Sequence, residues 1–132
     1  MSQTSAPVPM QNRTSAPSTL AIEAVNRFLN ALADSDHSAD RVAACFGEHI
    51  PALSLADLPP PAQDTWSHTT RLLKTPADKP IPAKAVLAVR SWPQSRINEL
   101  IARIRQLHAA LEKVENDRLE DEIRDSIRRH YL

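Results

Sequence analysis

From Arg96 to Leu132 the chain contains neither proline nor glycine. The first part of that stretch carries Ile97, Leu100, Ile101, Ile104, Leu107, Leu111 and Val114 at three- and four-residue steps. That spacing puts the aliphatic groups on one side of a helix. It predicts a long amphipathic helix over residues 95–131, started by Ser95 as cap after Pro93. An apolar stripe of this kind must be covered by its own chain or by another.

Placed in heptads with Ile97 at a, the stripe puts Ile104 and Leu111 at a, and Leu100, Leu107 and Val114 at d, as in a coiled coil. The register then fails, because Arg118 and Asp121 take the next a and d positions. Leu119, Ile123 and Ile127 continue the apolar pattern about a third of a turn further round. Asn116 and Asp117 sit at the change, and Asp117 with Glu120 has capping-box spacing. Either the helix is continuous and touches two surfaces, or it breaks near Asn116. Charge is split too. Residues 84–113 hold six basic and two acidic residues, and residues 114–125 hold six acidic and two basic. If two copies pair, that split favours an antiparallel dimer. Glu99–Arg103, Glu120–Arg124 and Asp125–Arg129 have the i,i+4 order that supports a helix.

The single glycine, Gly47, excludes phosphate-cradling loops and disfavours tight hairpins. The chain is therefore expected to be mainly α-helical. Residues 1–18 repeat Thr-Ser-Ala-Pro at Thr4–Pro7 and Thr14–Pro17 and read as a disordered tail. Residues 19–132 read as one helical domain. In it, Leu20–Ala33 is the first helix, capped by Thr19 or Ser18. Ser38 caps a second, Ala39–Phe46, which Gly47 stops. The two make a helical hairpin. Pro59, Pro60 and Pro61 predict an extended linker, and Pro76, Pro80 and Pro82 a second connector. Ala62–Lys74 reads as a helix with Trp66, Thr70 and Leu73 on one side. Ala83–Arg90 fits a buried strand or a buried helical turn.

Part of the hairpin resembles a known family. Ala21-Ile22-Glu23-Ala24-Val25-Asn26-Arg27-Phe28-Leu29-Asn30-Ala31-Leu32, with Asp34-Ser35-Asp36 and Ala43-Ala44-Cys45-Phe46, is similar to the opening helix pair of the nuclear transport factor 2-like superfamily. The resemblance covers about thirty residues. It implies a cone-shaped α+β domain in which the helix pair is followed by a long curved sheet, and with it a weaker alternative function, a small-ligand or enzymatic pocket in such a domain. This chain continues instead with prolines and then a helix, so the resemblance assigns no family.

The residues point away from catalysis. Cys45 and His49 are four apart, but Gly47 lies between them and no second Cys/His pair follows, so no metal site and no cofactor are expected. His37, His49, His68, His108 and His130 are scattered, with His108 flanking the stripe. Glu120, Asp121 and Glu122 read as a solvated face. The expected function is that of a small non-enzymatic adaptor. It would self-associate or bind a partner helix through Ile97, Leu100, Ile101, Ile104, Leu107, Leu111 and Val114. The alternative is a nucleic-acid-associated regulator that uses Arg90, Arg96, Arg103 and Arg105 beside Trp92. The net charge of zero gives no whole-molecule attraction to nucleic acid or an anionic membrane. One cysteine, no visible secretory signal and apolar runs as short as Ala85–Val89 suggest a soluble cytoplasmic protein. Twelve arginines against four lysines, with abundant alanine, hint at a GC-rich bacterial genome.

Overall fold

The computed structural model describes residues 17–33 and 35–131. Along them run α1 (Pro17–Ala33), α2 (Ala39–His49), a 3₁₀ turn (Leu55–Asp57), α3 (Pro60–Leu72), α4 (Ala83–Val89) and α5 (Gln94–Tyr131). No strand occurs among the described residues. The helical class is therefore as the sequence implies. The curved sheet of the family resembled by the hairpin is absent there, and with it the α+β pocket. Of the tail expected over residues 1–18, residues 1–16 lie outside the described residues, and Pro17 and Ser18 belong to α1.

α1 begins at Pro17, ahead of the caps expected at Ser18 and Thr19. Proline suits a first helical turn, where its missing N–H would be unpaired anyway. α1 buries Ala21, Val25, Phe28 and Leu32, a row at four-residue steps with one step of three. α2 starts as expected, with Ser38 Oγ accepting the Arg41 amide at 3.3 Å. It does not stop at Gly47 but runs to His49, with Ile50 as its C-cap. The Phe28 and Phe46 rings meet in a T-shaped pair, centroids 5.9 Å apart and planes 89° to each other, which ties α1 to α2.

The triple proline is not a free linker. Pro59 is the N-cap of α3, and Pro60 and Pro61 form its first turn. α3 buries Ala62, Trp66, Thr69 and Thr70. Trp66 donates its indole N–H to the carbonyl of Ala77 at 3.1 Å, which ties the second connector to the helix. Ile81 donates its amide to Pro51 across the same region at 3.0 Å. α3 closes with paired bonds from Thr75 N to Thr70 O and from Lys74 N to Arg71 O, both 3.0 Å. This is a Schellman end, and Lys74 takes its left-handed position at φ 59°. The ambiguous stretch is the short helix α4, with Ala85 and Val89 buried one turn apart.

α5 is continuous through Asn116, without the break that Asp117 and Glu120 allowed. It begins at Gln94, so Ser95 lies inside it rather than capping it. Its 38 residues make a rod roughly 57 Å long. The first half lies against α3 and α1 and forms one side of the core.

Candidate functional site

The predicted interaction face is covered by its own chain. Ile97, Leu100, Ile104, Leu107 and Leu111 are fully buried and Ile101 nearly so. Val114, the last residue of the predicted stripe, is only half-buried and marks where cover ends. Each fully buried aliphatic side chain stabilises the fold by about 1.5–3 kcal/mol, so this stripe belongs to folding. It offers nothing to a partner unless the domain opens.

Sequence reasoning noticed the second stripe but did not assign it to the site. From Asn116 to His130 every residue is exposed except Ser126, which is half-buried. Leu119, Ile123 and Ile127 are 43%, 59% and 54% exposed. They are three of the five large hydrophobic residues exposed among the described residues. Successive four-residue steps make them one ridge on the helix surface. This arm extends about 25 Å past Val114. The signal was the register failure at Arg118 and Asp121, where the apolar residues change sides.

Without cover from the other described residues, the arm is supported as a helix by its own side chains. Arg118 bonds both Glu115 and, at 2.6 Å, Glu122. Lys113 bonds Asp117 at 3.1 Å and Arg124 bonds Asp121 at 3.2 Å. The expected Glu99–Arg103 pair forms at 3.3 Å. The pairs expected between Glu120 and Arg124 and between Asp125 and Arg129 do not. Arg124 turns instead to Asp121, and Glu120 has no ion-pair partner among the described residues. The Arg118 hydrogen bond holds the Glu115 carboxyl below the ordinary carboxylate range, against a smaller opposing effect of partial burial. Glu115 in turn raises Arg118.

The four arginines of the nucleic-acid reading do not form one patch. Arg90 reaches Asp40 on α2 at 3.1 Å, beside a groove between α2 and α4. Arg96 donates to the carbonyl of Leu72 at 2.7 Å and stacks on Trp92, 4.4 Å from the ring centroid. It thus caps the C-terminus of α3, where a cation is favoured. Its Nε is buried without a partner among the described residues. Arg103 shares a shallow groove with Arg96, His68, Arg71 and Glu99. Arg105 is exposed elsewhere on α5.

Cys45 is buried in the core, and His49 lies 3.9 Å from Glu48. His108 Nε2 meets Asn26 Oδ1 at 2.6 Å and joins α5 to α1, while its Nδ1 lies 3.5 Å from Glu112. Among the described residues no group of three or more His, Cys, Asp or Glu is placed to hold a metal ion. Nor is any helix among them long and apolar enough to cross a membrane. No protein-family model, curated protein or solved structure matches this chain.

Proposed function

We propose that this protein is a small non-enzymatic interaction module whose docking element is the arm of α5, residues 115–131. The observation that supports this is the ridge of Leu119, Ile123 and Ile127, left open to water on a helix that has already run past its own core. Isolated surface aliphatics are ordinary, but three consecutive ones on one ridge of an uncovered helix fit a partner helix. The module is taken to be a soluble, cytoplasmic protein, in keeping with its one buried cysteine. The nucleic-acid alternative has less support, because Arg90, Arg96 and Arg103 are each engaged within the chain.

Site-specific photocrosslinking in the producing cell tests the reading. A crosslinker at Leu119 or Ile127 should give discrete adducts that vanish when Ile123→Asp is added. The same crosslinker at the exposed Arg105 should give none. Adducts at Arg105 alone, or arm adducts indifferent to Ile123→Asp, would remove the arm from the function.

A further inference from the structure

Resting on the reading of the arm as the docking element, we infer that its occupant is a second copy of this chain. The two arms cross antiparallel about Ile123. In that register Ile123 meets Ile123 of the second copy, and Leu119 meets its Ile127. The ridge runs along four-residue steps, so two such ridges interlock at the crossing angle of about −50° common between helices in globular proteins.

Charge selects this occupant and this direction. Glu120 and Arg124 flank the ridge on the same side, at 100° per residue round the helix. An antiparallel pair sets like flanks together and brings Glu120 of each copy beside Arg124 of the other. That contact occurs twice and uses a carboxylate that has no ion-pair partner among the described residues. Arg124 gives up only an exposed bond to Asp121, which is worth little. A parallel pair sets opposite flanks together and places Glu120 near Glu115 and Glu122 of the second copy. Glu122 and Arg124 stand one residue to either side of Ile123, but Glu122 is already held by Arg118 of its own helix, so a parallel pair offers Arg124 little in return. The contact is smaller than the roughly 800 Å² per partner of a standard interface. A reversible dimer that forms at high protein concentration is therefore the expected state.

The test is sedimentation equilibrium of the full chain from tens of micromolar to about a millimolar, with disulfide crosslinking in a Cys45→Ala background. The wild-type protein should dimerise with concentration, and Ile123→Asp should stay monomeric with an unchanged melting temperature. Glu120→Arg should weaken the dimer about fivefold to tenfold, and Glu120→Arg with Arg124→Glu should restore it. Ile123→Cys should crosslink to itself, whereas Leu119→Cys should crosslink only to Ile127→Cys in mixed dimers. Self-crosslinking of Leu119→Cys as efficient as that of Ile123→Cys would overturn the antiparallel register. A wild-type monomer throughout, with arm adducts to another protein that depend on Ile123, would overturn the second copy and leave the arm reading standing. A dimer indifferent to Ile123→Asp would overturn both.

Discussion

A Cβ placed on Gly47 would stand 3.0 Å from Cγ1 of Val86, so the one glycine of the chain sits at a close approach of α2 to α4. Two effects oppose each other in Gly47→Ala. Alanine gains about 1 kcal/mol of helix propensity over glycine, and crowding a stiff β-branched neighbour costs about 1–3 kcal/mol. The variant should be neutral to about 2 kcal/mol less stable in urea unfolding. In a Val86→Ala background the same change should stabilise by up to about 1 kcal/mol. A gain of equal size in both backgrounds would show that the contact does not constrain position 47.

Leu107 and Ile123 lie on the same helix but should respond oppositely to the same substitution. Leu107 is fully buried in its own chain, so Leu107→Asp should cost at least about 4 kcal/mol and unfold the monomer. Ile123→Asp should leave the melting temperature of the dilute protein unchanged. A folded Leu107→Asp monomer, by circular dichroism, would mean that the stripe is not the core.

Lys74 holds a left-handed backbone at φ 59° in the Schellman end of α3. That conformation is costly for a residue with a Cβ and easy for glycine. Lys74→Gly should therefore raise stability by up to about 1 kcal/mol, the extra freedom of glycine in the unfolded chain offsetting part of the gain. Lys74→Val should lower it. The pair of melting curves decides the matter.

Arg96 acts as a planar donor and as a cation over Trp92. A lysine keeps the charge but loses the fork and the stacking. Arg96→Lys should cost about 1–2 kcal/mol, while Arg105→Ala at an exposed position should cost close to nothing. Equal effects would assign Arg96 to solvent.

Acid should loosen the arm before the body. Glu115 has its carboxyl lowered by Arg118, so that pair supports the folded arm above the ordinary carboxylate range. The support is lost as pH falls through the lowered value of Glu115. Helical ellipticity should therefore show a small decrease on acidification ahead of global unfolding. The step should shrink in Arg118→Ala, which removes the partner. High salt should blunt it, since these pairs are exposed.

Much of the architecture was legible because it is local. Ser38 caps α2 through its own hydroxyl, and the run of aliphatics from Ile97 to Leu111 has only one reading at helical period. The absence of other glycines disfavoured tight hairpins. The candidate site was half legible, since the shift from Leu111 and Val114 to Leu119, Ile123 and Ile127 is visible in the residues. Which of the two stripes remains open was not.

The tertiary structure decided that, because amphipathicity states that a face needs cover but not who supplies it. α1 and α3 cover Ile97 to Leu111, and nothing among the described residues reaches past Val114. It also turned three prolines from a linker into the start of α3, a position where a missing N–H costs nothing. It made Gly47 a point of close packing rather than a helix stop, because that assignment depends on Val86, which is distant in sequence. The sequence by itself determined the helices and their apolar faces, through interactions a few residues apart. The fold determined which face was consumed in the core and which was left open to water, through contacts that no local pattern encodes.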